Sequence, residues 1–521
     1  MSTLDTISAR VPLARSGTVE AFRRLFSFPV LLGAFLVLSV FAWARLLSHD
    51  PDMWWHIAVG RQILETRALP EFDPYSWTAT GAHWIAYEWL GEVLIAAGTR
   101  GGDLVAQKLL LLAMACALFL LLFYYAYLRS KNYKAAFAAC LMLSPLAVFF
   151  FTLRPQLFGY LFLLITLICL ERYRQSGSKA IWALPLLFLI WINTHGSFAF
   201  GLFVVGLYWI CGLARFEKGS LLAERWTPAQ RLRLTWILLL CVAATTVTPY
   251  GTRLAAYPLE MALFQSVNVA NIIEWQPTGT GLWFGKVFVG LLLLFFVGQV
   301  VRPQRFRLHE LGLLLFAVFS ASVHRRFLIV FLMVFVPLLA TMLTRWVEEY
   351  SPAKDKPVWN AALIAIVVGM MIGFFPSRKF LEDRVAQDYP VQAAKYLQAH
   401  PVEGPLFNDY GWGGYLIWSL HPKQKVFIDG RADIYEYSGV LPDYLSIIRI
   451  EPTALSLLRK YNVQACLVRR KEAISTLLAA SPEWEQTYAD ELSAIFVRKA
   501  KEELFPALSM NQDLPGQLHT K

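Results

Sequence analysis

Residues 28–56 read FPVLLGAFLVLSVFAWARLLSHDPDMWWH, and the change of character inside this stretch decides the fold class. From Phe28 to Ala44 no residue carries a charge, and the run is about as long as the shortest helix that crosses the roughly 30 Å hydrocarbon core of a bilayer. It is followed at once by His49, Asp50, Asp52 and His56, which such a core would reject. Working outward, ten more apolar runs follow, at 104–127, 135–151, 157–170, 180–194, 197–214, 234–249, 287–300, 308–322, 327–344 and 358–375. Some fall short of about 17 residues and must borrow from their flanks to cross. The expected fold class is therefore a polytopic α-helical membrane protein of about 11 transmembrane helices.

Composition agrees. Of 521 residues 57% are hydrophobic and 16% charged, where an average soluble chain carries about 25% charged residues. A soluble globule, a disordered chain and a coiled coil are excluded. The net charge of +11 must be tested against the positive-inside bias before it suggests nucleic acid. The run 84–98 is ambiguous, because it contains Glu88 and Glu92. If it lies outside the membrane, 21 Lys and Arg collect on one side and nine in the short loops of the other. This partition predicts a cytoplasmic segment 1–27 and a transmembrane region 28–376 with a large first outer loop, 45–103. It also predicts an outer carboxy-terminal domain, 377–521. The chain is thus expected in a bacterial inner membrane with a periplasmic carboxy-terminal domain. Basic residues spread over inner loops orient the chain and require no nucleic acid.

Cys116, Cys140, Cys169, Cys211 and Cys241 lie in apolar runs and read as small packing residues; Cys466 stands alone in the tail, and no CxxC pair exists. No A-x-A cleavage pattern follows Phe28–Ala44, which reads as an uncleaved span. The tail reads as a soluble α/β domain. Helices are expected at 388–400, 415–420, 453–460 and 471–479, and strands at 404–408, 425–429 (KVFID), 464–468 and 494–498.

Ionisable residues at the outer boundary are the functional candidates. Asp50 before Pro51 is a helix start, with Asp50 as cap, and Asp52 and His56 share a face one turn apart. Trp54 and Trp55 read most simply as interfacial belt residues. His49, Asp50, Asp52 and His56 would also suit a divalent-metal half-site. Glu88 and Glu92 share another helix face, while Asp73 before proline reads as a turn former. Arg154, His195, Arg253 and the cluster His324, Arg325, Arg326 are further outer residues. Arginines there run against the positive-inside trend: they either snorkel to headgroups or form a phosphate site. In the tail, Asn408, Asp409, Trp412, Asp429, Gly430, Arg431 and Asp433 are polar or turn-forming candidates for acceptor binding or lid duty. Walker A, GxGxxG and HExxH motifs are absent.

The order of these features resembles the GT-C superfamily of integral membrane glycosyltransferases, in particular the bacterial branch similar to protein mannosyltransferases and aminoarabinose transferases. The resemblance covers roughly 28–375. It rests on the acidic opening Asp50-Pro51-Asp52, the amphipathic segment Tyr87-Glu88-Trp89-Leu90-Gly91-Glu92, the pair Ser144-Pro145 and the turn Arg154-Pro155. An Asp-Pro-Asp stands where the family has Asp-Glu, and the family's Pro-Pro pair is missing. The resemblance implies transfer of a sugar from a polyprenyl-phosphate-linked donor to a lipid, glycan or protein acceptor at the outer face. It implies Asp52 as base, assisted by Asp50 or Glu88 or by a shared divalent metal ion. Arg325, Arg326, Arg154 and His324 would hold the donor phosphate, with His56, His195 and Glu92 as secondary candidates. A transporter or flippase of lipid-linked material and a non-catalytic envelope scaffold are the alternatives. Span centres nearly free of ionisable residues and the lack of an inverted repeat speak against transport.

Overall fold

The computed structural model describes residues 17–46, 50–148 and 151–499. The expectation at His49 lies outside the described residues. Each of the eleven apolar runs is helical, from Phe28–Ala44 through Leu104–Ser130, Gln156–Ser176 and Leu328–Leu343 to Pro357–Gly373. Five helical stretches are long and apolar enough to cross a membrane on their own: Gly17–Ala44, Leu104–Ser130, Gln156–Ser176, Trp283–Val301 and Arg325–Leu343. A sixth arises if Pro357–Gly373 and Arg378–Asp388, bent by 54°, count as one. Most of the remaining apolar helices are shorter, and the count of eleven crossings goes beyond these candidate spans. The chain is a membrane-embedded helical bundle with a small sheet region toward its carboxyl end.

Residues 84–98 yield only a 10-residue helix, Trp89–Gly98, about 15 Å long and too short to cross. It lies against the helix Pro51–Thr66, and a glycine sets their approach. A Cβ at Gly60 would fall 2.1 Å from the Glu92 carbonyl oxygen. The close contact brings His56, on the first helix, level with Glu88 and Glu92.

The carboxy-terminal sheet has four strands in the order Leu406–Asn408, Ala465–Arg469, Ser493–Arg498, Trp484–Ala489. The first pair is parallel and the other two pairs are antiparallel. The expected strands 404–408, 464–468 and 494–498 all lie in it. Two expectations are corrected. The helix expected at 388–400 starts only at Val391 and runs to Ala399, with Asp388 ending a separate helix, Arg378–Asp388, because proline at 390 disfavours helical geometry at the residue before it. The segment KVFID is not a strand of this sheet. Val426 instead pairs with residues of the first loop, accepting from Trp77 N–H at 3.1 Å and donating to the Tyr75 carbonyl at 3.1 Å. A sequence pattern identifies extended backbone, and only packing chooses its partner.

The same docking overturns the reading of Trp54 as a membrane-belt residue. Its ring is fully buried, 4.8–5.6 Å from the rings of Tyr389, Tyr415 and Trp418. Trp55 is buried as well, against His56. At the other end of the bundle, a three-stranded sheet (Phe216–Lys218, Leu221–Ala223, Phe306–Arg307) was not legible in the sequence.

Candidate active site

Asp50 caps the helix Pro51–Thr66, accepting from Asp52 N–H at 2.9 Å. It also accepts from Arg154 Nε at 2.5 Å and Nη2 at 2.8 Å, a bidentate pair. The third nitrogen of that guanidinium, Nη1, lies 2.9 Å from Asp52 Oδ2 and 3.0 Å from Glu274 Oε1. Arg154 therefore ties three carboxylates together. Arg154 holds the Glu274 carboxyl below the usual range. Burial nevertheless dominates at Asp52 and pushes its carboxyl up to about 7, with Asp50 and Glu274 adding to the rise.

One turn further along, His56 Nδ1 sits 3.1 Å from Glu92 Oε1 and Nε2 sits 3.8 Å from Glu88 Oε2. Glu88 Oε1 lies 3.3 Å from His195 Nε2, and His195 Nδ1 is 2.8 Å from Ser197 Oγ. Burial lowers both imidazoles and so keeps them neutral. It raises Glu88 to about 8 and Glu92 well above the carboxylate range. Ser197, His195, Glu88, His56 and Glu92 thus follow one another at 2.8–3.8 Å, with protons rather than guanidinium groups balancing the acids.

The third component is aromatic and cationic. Arg326 lies over the Trp275 ring at 4.2 Å, and His324 Nδ1 meets the Trp275 carbonyl at 2.5 Å. The Arg325 backbone N–H donates to the Gln276 carbonyl at 2.9 Å. These contacts fasten the turn at 324–327 to the segment carrying Glu274.

Two cavities meet here. One, of about 110 Å³, is polar and lined by Asp52, His56, Glu88, Arg154, Glu274 and Arg326, with Tyr410, Gly430 and Asp433 on the wall from the carboxy-terminal region. The other, of about 330 Å³, is mainly apolar, lined by Gly159, Tyr160, Leu163, Phe200, Phe327 and Val330. Tyr87, Glu88, His195, Trp275 and Arg326 line both. A larger depression of about 1050 Å³ lies around Arg23, Tyr350 and Asp355. There Asp355 already accepts from Tyr350, Asn360 and two backbone N–H groups, so its carboxylate is satisfied.

The fold is similar to that of two solved structures. One is ArnT from Cupriavidus metallidurans in the apo state, with 14% identity over 90% of this chain and 97% of that one and a TM-score of 0.50. The second is the arabinofuranosyltransferase AftD from Mycobacteria, with 14% identity over 91% of this chain and a TM-score of 0.52. The chain shares the overall fold of these two membrane-protein structures. It spans 41% of AftD, and at such identity the likeness concerns the fold alone. No protein-family model matches the sequence, and no curated protein matches it significantly.

Within this fold, Asp52, Glu88, Arg154, Arg326, His56 and His195 converge on the polar cavity, while His324 lines the apolar one. Asp50 and Glu92 stand behind, holding Arg154 and His56. Arg325 is not brought in: its guanidinium lies 5.8 Å from the Phe284 ring, and it lines neither cavity. Among the described residues no group of three or more His, Cys, Asp and Glu side chains is placed to hold a metal ion. The cation shared by the carboxylates is the Arg154 guanidinium. Sequence reading missed Glu274, Trp275, Tyr87 and Tyr410. Glu274-Trp275 was detectable as an acid beside an aromatic in a long neutral loop, but Tyr410 carried no signal.

Proposed function

We propose that the protein is a membrane glycosyltransferase that takes a sugar from a polyprenyl-phosphate-linked donor. The observation that carries the reading is Arg326, which lines both the polar cavity with its acids and the adjoining apolar groove. A donor of this class has the same two halves, a phosphate-linked sugar and an apolar chain. The arabinofuranosyltransferase among the fold neighbours supports the same reaction class.

In this reading the polyprenyl chain lies along Tyr160, Leu163, Phe200 and Val330. Arg326 faces the phosphate, and the sugar enters the polar cavity. Asp52 takes the proton of an acceptor hydroxyl as the acceptor oxygen bonds to the anomeric carbon. The bond from that carbon to the phosphate oxygen breaks, and the polyprenyl phosphate leaves with the electron pair. Arg326 stabilises the charge that grows there. Arg154 positions Asp52 in place of the phosphate role expected for it. In this reading the cavity opens on the outer face, with residues 377–521 as an outer domain, which the partition of basic residues supports.

The test is transfer from defined polyprenyl-phosphate sugars by purified protein in proteoliposomes. Asp52→Asn is expected to insert normally and to lose transfer. Full transfer by that variant would remove the proposal. Movement of intact lipid-linked sugar across the bilayer by the same variant would favour the flippase alternative.

A further inference from the structure

Gly430 stands where the carboxy-terminal region touches Asp52. A Cβ on Gly430 would fall 1.8 Å from Asp52 Oδ1 and 2.9 Å from Trp55 Nε1. Real Cβ contacts do not reach such distances, so any side chain at 430 must displace the carboxylate. A shifted carboxylate moves relative to Arg154, whose Nη1 is 2.9 Å from Asp52 Oδ2, and weakens that pair.

The turn holding Gly430 is anchored on both sides. Next to it, Arg431 is 2% exposed and grips Asp429 through Nε at 2.8 Å and Nη2 at 2.7 Å. Its Nη1 reaches Asp73 of the first loop at 2.7 Å. The guanidinium also lies 5.1 Å from the Tyr75 ring and 4.8 Å from the Trp84 ring. Asn408 holds the segment before it, accepting from Phe427 N–H at 2.7 Å and donating to the Ile428 carbonyl at 2.8 Å. Asp73 and Asp429 line neither cavity. A fully buried cation held by two acids and two rings is thus spent on fastening this turn to the first loop.

We propose that Gly430, clamped by Arg431 between Asp429 and Asp73, is a positioning element for the Asp52 carboxylate, so that the carboxy-terminal region completes the site as a fixed wall. The inference rests on the function proposed above for Asp52, but the contact itself can be read without any transfer reaction. The groups facing Asp52 are Arg154, Asp50, Glu274 and Trp55, with Glu88, Tyr389 and Tyr410 from the neighbouring elements. Moving away from Arg154, the cation paired with it, disfavours the ionised carboxylate, so a displaced Asp52 holds its proton to higher pH.

Dicyclohexylcarbodiimide, which adds to protonated carboxyls in apolar surroundings, serves as the probe on the full chain in nanodiscs, with labelled peptides read by mass spectrometry. In the unaltered chain, labelling of Asp52 should fall as pH rises, with a midpoint near the value of about 7 given by its burial. In Gly430→Ala the midpoint should move up by about one pH unit, while labelling of Glu88 stays within about twofold. Transfer should fall about 100-fold in kcat, with KM for the lipid donor unchanged. Arg431→Lys keeps the charge but not the bidentate grip, and should move both readouts the same way by less. It decides the matter if Gly430→Ala does not fold. An Asp52 labelling profile unchanged in the folded variants overturns the inference. Absence of transfer in the unaltered chain would overturn the proposed function and leave the labelling comparison valid.

Discussion

Two buried ionic clusters sit toward opposite ends of the helix Leu104–Ser130, which is about 40 Å long. At its carboxyl end, Arg129 pairs with Glu310 at 2.5 Å, and Arg307 lies 3.4 Å from the same carboxylate. Nearby, Arg174 grips Glu171 through two nitrogens, at 2.6 and 3.0 Å. Each buried acid there has a guanidinium of its own. At the amino end, Glu88 and Glu92 meet only histidines, and Asp433 is reached by the Tyr257 hydroxyl at 2.6 Å, with no ion pair to Glu88, Glu92 or Asp433 from Lys or Arg among the described residues. A matched cluster pins helices together. An acid-rich cluster around a cavity leaves carboxyl groups free to exchange protons with a substrate.

The contrast can be broken most sharply at Asp52. Asp52→Asn should lower transfer by about 10²–10⁴-fold, the range expected for a lost general base, measured as initial rate with a lipid-linked sugar. Next in size, Arg326→Ala should lower kcat by about 10²–10³-fold, as for loss of a group stabilising transition-state charge, and should weaken binding of a polyprenyl phosphate. Its counterpart at the matched end is Glu310→Ala. That change should destabilise the fold by about 3 kcal/mol, because it leaves the largely buried Arg129 guanidinium unpaired. Transfer per folded molecule should stay unaltered; thermal unfolding in detergent alongside activity separates the two.

The smallest effect concerns pH. The folded-state value of Glu88 is raised from 4.5 to about 8. The native state therefore binds a proton more tightly than the unfolded chain between those values. This stabilisation is complete below about 4.5 and is lost as pH rises through about 8. Glu88→Gln should flatten the decline of Tm over that interval.

Much of the bundle was legible because lipid imposes a simple rule: backbone polar groups must be satisfied within each apolar helix. Each apolar run became a helix for that reason. The short segment at Glu88 was kept out of the membrane because counting it as a span would scramble the partition of Lys and Arg between the two sides. Part of the site was legible on the same ground, since Asp52, Glu88 and Arg326 are ionisable residues at span ends. Trp54 was misread, because an interfacial tryptophan and one buried under a docked domain have the same sequence context. Arg325 and Arg326 could not be separated either. Adjacent residues on a turn point in different directions, and only Trp275 decides which one faces the cavity.

By itself the sequence determined where helices form and where charge is tolerated, because both depend on the local match between side chains and a low-dielectric surrounding. It also placed acids in the first loop and arginines in later ones. Only the tertiary structure decided that Arg154 belongs to three acids and that Glu274 joins them. It alone showed that KVFID pairs with residues 75–78 and that Gly430 lies against Asp52. These contacts join residues from about 100 to nearly 400 positions apart in the chain, and no local pattern records which distant surfaces fit.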